Sequence, residues 1–369
     1  MKEVPLKDIC NKDSSSLKQK ELMTEGKYPV YGASGIAGYL NSYHQKEAYI
    51  GIVKDGSGIG RVDFYPEETS LIGTMQYILP KKGYNIRYIG YCLQSLDLSK
   101  YKQGAAIPHI YFRDYGERIV KVTEDEREQK RIVERLDAAF AQIDELKANA
   151  EKQLAEARAL FQKSLAKAME PKEGWEEKTL KETCSVITDG THHSPINLPN
   201  GKYKYVTAKN IKPWGLDLSN LTFVTEEVHK EIVSRCCPQK GDVLYIKDGA
   251  TTGIAIVNPL DEEFSMLSSV ALIRPIKDVL LSKYLCYALN SPSIYEQTRS
   301  QMDGAAITRV TLVKIKGFTI PIPPLSEQQR IVERLDSISE NVRKYEEIQR
   351  KIIAECDALK QALLRQVFE

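Results

Sequence analysis

The sequence predicts an α+β chain: two mixed α/β domains, each followed by a long helix, with the helices pairing as an antiparallel coiled coil of pseudo-two-fold symmetry. Three observations predict it. A charged helical segment recurs near the end of the chain, each copy opens a heptad pattern, and pieces of the intervening stretches recur in the same order. The segment Glu128-Gln129-Lys130-Arg131-Ile132-Val133-Glu134-Arg135-Leu136-Asp137 returns as Glu327-Gln328-Gln329-Arg330-Ile331-Val332-Glu333-Arg334-Leu335-Asp336, changed only at Lys130. Upstream, Gly104-Ala105-Ala106-Ile107 matches Gly304-Ala305-Ala306-Ile307, and Lys54-Asp55-Gly56 matches Lys247-Asp248-Gly249. Tyr88, Tyr91 and Ser95 match Tyr284, Tyr287 and Ser291. The expected order is therefore domain (1–123), helix (124–170), domain (171–325), helix (326–369).

In the first domain, Tyr49–Val53 and Arg61–Tyr65 read as strands flanking the polar loop Lys54-Asp55-Gly56-Ser57-Gly58-Ile59-Gly60. A hairpin tip with a lysine, a hydroxyl and glycines can approach phosphate and offer backbone N–H groups. Lys54, Ser57 and Arg61 are its candidate nucleic-acid contacts, and an ordinary solvated turn is the bland alternative. The glycine run also resembles a nucleotide-binding loop. Such a loop opens a helix, whereas the residues after this one look like another strand. Gln103, His109, Tyr111 and Arg113 close the domain as further candidates.

In the first helix, steps of four and three from Ile132 give Leu136, Ala139, Ile143, Leu146, Ala150, Gln153, Ala157 and Leu160. Asp125 with Glu128 can cap its start, and Pro171 ends it. At 1.5 Å per residue such a helix spans roughly 60 Å.

The second domain repeats the pattern. Val243–Ile246 and Ile254–Val257 read as strands around Lys247-Asp248-Gly249-Ala250-Thr251-Thr252-Gly253. Thr188-Asp189-Gly190-Thr191-His192-His193-Ser194-Pro195 is a second dense polar loop, with Lys209-Asn210 after a short strand. Thr191, His192, His193, Lys209, Asn210, Lys247, Thr251, Thr252, Gln301, Thr308 and Arg309 are the candidates here, side chains suited to base edges or phosphates.

The second helix carries the same seam through Ile331, Leu335, Ile338, Val342, Tyr345, Gln349, Ile352, Cys356, Leu359 and Leu363, and Ser326-Glu327-Gln328-Gln329 reads as a capping-box start. Two seams in one chain most simply pack on each other. Pairing between chains is the alternative.

Composition excludes several classes. The net charge is only +2, from 52 basic and 50 acidic residues, so a nucleic-acid role would rest on local patches on the globular parts. The seven cysteines are scattered apart from Cys236-Cys237, which suits a reducing cytosol and shows neither disulfide frame nor zinc site. The pair His192-His193 has no acidic or cysteine partner at metal-like spacing. The start has no apolar leader core and no apolar run approaches a membrane span. No phosphate-binding Gly-x-x-x-x-Gly-Lys motif, His-Glu-x-x-His or Asn-Pro-Pro-aromatic loop is present. The expectation is a cytoplasmic, non-catalytic protein without metal.

The segment from Glu327 to Val332 after Pro321-Ile322-Pro323-Pro324-Leu325, with its mid-chain repeat, resembles the specificity subunit of type I restriction–modification systems. Lys247–Gly253 and Asp189-Gly190-Thr191-His192 are similar to recurrent pieces of that family's target recognition domains. The resemblance implies two target recognition domains separated by conserved helices, each reading one half of a split, asymmetric site in double-stranded DNA. It implies docking of two modification subunits, which bind S-adenosylmethionine and methylate adenine, and of restriction subunits. This chain would then hold no cofactor, and the helices would act as a spacer between half-sites. A self-contained DNA-modifying enzyme and a coiled-coil scaffold with no DNA role are the competing classes.

Overall fold

The computed structural model describes residues 1–104, 108–300 and 309–369. Gln301 and Thr308, together with the repeated Ala-Ala-Ile, lie outside the described residues. Contacts divide the chain into two units, Met1–Lys152 with Gln349–Glu369, and Gln153–Ile348. Each long helix thus contributes one part to each unit.

The first unit runs β1 (Lys2–Pro5), α1 (Leu6–Ile9), β2 (Cys10–Ser14), β3 (Tyr28–Gly32), β4 (Gly35–Leu40), β5 (Tyr49–Val53), β6 (Val62–Tyr65), β7 (Ser70–Leu71), β8 (Met75–Pro80), α2 (Ile86–Ser95), α3 (Phe112–Tyr115), β9 (Ile119–Val122) and the start of α4 (Glu126–Ala168). Its main sheet has the order β2-β8-β5-β6 and is antiparallel. A smaller sheet, β4-β3-β7, lies beside it, and β1 pairs with β9. Strand β5 is buried along its whole length. Because side chains alternate across a strand, Ile50 and Ile52 join Tyr88 and Cys92 of α2 and Ile132 and Leu136 of α4 in one core. Tyr49 and Val53 meet Tyr65, Leu71 and Tyr77 in a second.

The second unit repeats this order with a hairpin and two helices added. It contains β10 (Glu176–Thr179), α5 (Leu180–Thr183), β11 (Cys184–Asp189), β12 (Tyr203–Val206), β13 (Ile211–Lys212), β14 (Gly215–Leu216), β15 (Thr222–Val224), α6 (Glu226–Arg235), β16 (Val243–Ile246), β17 (Ala255–Val257), β18 (Ser265–Met266), β19 (Val270–Pro275), α7 (Ser282–Leu289), α8 (Pro292–Ser300), α9 (Leu312–Lys316), β20 (Thr319–Ile322) and the start of α10 (Leu325–Phe368). The sheets β11-β19-β16-β17 and β15-β12-β18 copy those of the first unit strand for strand, and β10 pairs with β20. The hairpin β13–β14 and helices α6 and α8 are added.

The repeated helix-start motif is explained by the core. Gln129 is fully buried; its Oε1 accepts from Asn85 N at 2.7 Å, and its Nε2 donates to Gly83 O and Thr123 O at 2.9 and 3.0 Å. Gln328 does the same with Leu281 N, Val279 O and Pro323 O, each at 2.9 Å. One buried amide thus satisfies three backbone groups at the start of each long helix. Eight residues on, Asp137 accepts from the Tyr91 hydroxyl and from Arg87, and Asp336 accepts from Tyr287 and Lys283.

Two expectations about the helices are corrected. Ser326 is no N-cap: α10 starts at Leu325, and Pro324 O receives the first turn's N–H groups from Glu327 and Gln328 at 2.9 Å. The seam is also phased differently. Ile143, Ala150 and Cys356 are buried as expected, but Leu146, Leu160 and Leu359 are 52, 60 and 49 % exposed. The inward positions are one residue further on, at Phe140, Lys147, Leu154 and Phe161, and at Glu346, Ile353 and Lys360. Within the first unit Lys147 pairs with Asp357 at 2.7 Å and Lys360 with Asp144 at 2.5 Å. Within the second, Arg158 pairs with Glu346 at 2.8 Å and Tyr345 donates to Gln153 at 2.7 Å. The helices therefore run antiparallel in both units. Lys147, Glu346 and Lys360 line the seam with their stems and send their charges to its rim, so a count of apolar residues misplaces it. Ile132, Leu136, Ile331 and Leu335 are buried in the globular cores, and Ile338, Val342 and Ile352 are half-buried.

Candidate nucleic-acid interface

In the first unit the loop after β5 is fastened from two sides. Lys54 N and Asp55 N donate to Thr74 O at 3.0 and 3.2 Å, and Ile110 N donates to Lys54 O at 2.9 Å. The chain can turn there because Gly56 has φ +80°, a conformation that favours glycine. Gly56 N then donates to Pro108 O at 3.1 Å. This brings together residues that are far apart in sequence. His109 Nδ1 lies 2.6 Å from Asp55 Oδ1, and Lys54 Nζ lies 3.0 Å from Asp55 Oδ2. The His109 and Tyr111 rings stack at 6.2 Å, and Arg113 covers Tyr111 at 4.7 Å. Gln103 exchanges backbone hydrogen bonds with His109 at 2.8 Å, and its side chain donates to Asp114. Ser57 is exposed at the loop tip, whereas Arg61 is paired with Asp63 at 3.0 Å.

In the second unit the equivalent loop is fastened alike, by Lys247 N on Ser269 O at 3.0 Å and Val310 N on Lys247 O at 2.9 Å. Gly249 has φ +93°. At its centre sits Asp189, 2 % exposed, which receives Arg235 at 2.7 Å and Lys247 Nζ at 3.4 Å, while Arg235 also donates to His192 Nε2 at 3.1 Å. Lys247 also reaches Asp248 at 3.3 Å. Gly190 is required next to Asp189, because a Cβ there would stand 1.9 Å from Met266 O. Thr191 pairs with Leu267, Ala208 N donates to Ser269 Oγ, and Arg309 Nε lies 3.8 Å from Asp248. The polar loop at 189–193, the loop after β16, the Lys209 turn and Arg309 are thereby joined in one cluster.

Three candidates change standing. Lys247 is 6 % exposed and neutralised by two carboxylates, so it is a buried structural cation with no free reach to a phosphate. Thr252 is buried with its hydroxyl donating to Gly249 O at 2.7 Å. Asn210 is buried, accepting from Thr207 N and donating to Asp217 O. The exposed candidates are Lys209, Thr251, His192, His193 and Arg309, with Thr191 half-buried. Sequence reasoning passed over the carboxylates Asp55, Asp189 and Asp248, since a search for cations discounts acids. It also missed Arg235, whose helix has no repeated motif. Among the described residues no group of three or more His, Cys, Asp or Glu is placed to hold a metal ion. No described helix is long and apolar enough to cross a membrane.

The comparisons with known proteins agree with this duplicated architecture. The family model for the type I restriction modification DNA specificity domain matches residues 1–156 and 172–353. The type I restriction enzyme EcoBI specificity subunit of Escherichia coli is 23 % identical over 267 residues, covering 65 % of this chain and 56 % of that protein. The MjaIX specificity subunit of Methanocaldococcus jannaschii is 28 % identical over 195 residues, covering 49 % and 42 %. The chain thus spans about half the length of the curated relatives it matches. A solved chain of a type I R-M system superposes with a TM-score of 0.72 at 19 % identity, covering 98 % of this chain and 96 % of that one. The HsdS subunit from Thermoanaerobacter tengcongensis gives 0.50 at 18 % identity, covering 98 % and 95 %. Two copies of one fold, each bearing a polar loop cluster of its own and each followed by the same clamped helix, are therefore the mark of membership: this chain belongs to the type I restriction modification DNA specificity family.

Proposed function

We propose that this chain is the DNA-specificity subunit of a type I restriction–modification enzyme, each unit reading one part of a split, asymmetric site in double-stranded DNA. One observation carries the reading: the sheets are duplicated strand for strand, while equivalent positions of the polar clusters differ, Ser57 against Ala250, His109 against Arg309 and Tyr111 against Thr311. A pair of recognition heads requires this, since a shared scaffold must present two different surfaces. Chemistry would belong to the partners. Two modification subunits would bind S-adenosylmethionine and methylate a flipped adenine, and restriction subunits would join them.

The outer faces of the long helices supply a docking surface for those partners. Leu146 and Leu359 in the first unit, and Leu160, Tyr345 and Ile348 in the second, are 39 to 60 % exposed.

The test is methylome sequencing of a methylation-free host expressing this chain with its modification subunit. A split, adenine-methylated motif that disappears when the chain is left out is the expected result. A continuous motif that persists without the chain would remove the reading.

A further inference from the structure

Resting on that reading, we propose that one position in each unit, His109 in the first and Arg309 in the second, determines which base is read. The two residues are structurally equivalent. Each forms an isolated antiparallel bridge with the aspartate of the Lys-Asp-Gly loop, Asp55↔His109 and Asp248↔Arg309. The next residue in each case, Ile110 or Val310, donates its N–H to the loop lysine's carbonyl at 2.9 Å. The backbone at 109 and 309 is therefore pinned, which lowers the entropy lost when the side chain makes a contact.

The same kind of group faces both side chains: Asp55 bonds His109 at 2.6 Å, and Asp248 lies 3.8 Å from Arg309 Nε. Asp55 and Asp248 have side chains only 19 and 14 % exposed, whereas His109 and Arg309 are 39 and 60 % exposed. An ionised carboxylate can only accept, so His109 donates from Nδ1 and its Nε2 is left for another partner. Arg309 turns its Nε toward Asp248 Oδ1, a buried oxygen without a hydrogen-bond partner among the described residues. The two terminal nitrogens of the guanidinium are then left as a fork, which fits the O6 and N7 acceptors of guanine in the major groove. Stability does not require these pairs, because ion pairs with an exposed partner contribute only about 0–1 kcal/mol. What the arrangement achieves is a constant holder with an interchangeable reader: loop, aspartate and backbone are the same, and the presented side chain differs.

The experiment uses the full chain assembled with its modification subunits, and reads the methylome for His109→Ala, Arg309→Ala and Arg309→Lys. Each alanine variant is expected to keep the split motif and to widen one position in one part only, with roughly tenfold loss of discrimination there. Asp55→Asn should widen the same position as His109→Ala, since it acts through that histidine. Arg309→Lys should retain part of the preference, because lysine also meets guanine. An unchanged motif in both alanine variants would overturn the assignment. So would an even fall in methylation with every position still specified, the signature of a purely structural or phosphate contact. A wild-type chain that directs no split motif would instead sink the functional reading on which the assignment rests.

Discussion

Strand β2 ends at Ser14 in the first unit, and strand β11 ends at Asp189 at the equivalent place in the second. That exchange, together with the added helix α6 that carries Arg235, changes the partners of the loop lysine. Asp189 draws Lys247 inward to 6 % exposure and holds Arg235, which in turn donates to His192. Where Ser14 stands, Lys54 pairs with Asp55 and stays half-buried. The sheet order, the loop anchors and the helix clamps are meanwhile the same in both units. Matching backbone frames thus carry a lysine that is buried in one copy and half-buried in the other. A motif match fixes the backbone, and the neighbours fix what the side chain does.

The sharpest way to break this comparison is at the parts that do not differ. Gln129→Ala and Gln328→Ala should each remove hydrogen bonds to three backbone groups, costing on the order of 3 kcal/mol, seen as matched losses in thermal unfolding. A loss confined to one variant would mean that the clamps are not equivalent. Next come the two lysines, where the units should diverge. Lys247→Met uncovers Asp189 and is expected to cost about 3 kcal/mol. Lys54→Met should cost less than about 1 kcal/mol and reduce the salt dependence of DNA binding by about one unit if Lys54 meets a phosphate. Equal stability losses would erase the contrast.

The helices allow a finer test. Leu146→Ala and Leu160→Ala lie on exposed faces and should change stability by less than about 0.5 kcal/mol. Leu154→Ala, at an inward position, should cost about 1–2 kcal/mol. If Leu146→Glu with Leu160→Glu leaves assembly with modification subunits intact, the outer face is not their seat.

The smallest expected effect is alkaline. Burial, and then the bond to Asp137, pushes the Tyr91 hydroxyl up to about 12. Its proton therefore adds stability fully below the unfolded value of about 10, and that contribution fades as pH rises through about 12. A Tyr91→Phe chain should show a flatter loss of stability over that window in denaturant titrations.

Much of the fold was legible because repetition and periodicity are local signals. The matched motifs located the duplicated units, and the Lys-Asp-Gly loops stood between strands as read. The second long helix was found within a residue of its start. The seam phase was not legible, because Lys147, Glu346 and Lys360 sit inward while Leu146, Leu160 and Leu359 face out. The candidate cluster was legible in its members but not in its wiring. His109 and Arg309 were singled out, yet Asp55, Asp248 and Asp189 were not, and nothing in the sequence paired Arg235 with Asp189.

Sequence by itself determined the duplication, the two long helices, the strands beside the Lys-Asp-Gly loops and the turns between them. These follow from spacing along one chain, through heptad phase, strand alternation and glycine at positive φ. Tertiary structure alone decided which polar residues are surface and which are frame. Asp189 and Lys247 are fifty-eight residues apart, and their meeting depends on strand pairing across the sheet. A charge is exposed or neutralised according to what the fold sets beside it, and that neighbour is not written next to it in the chain.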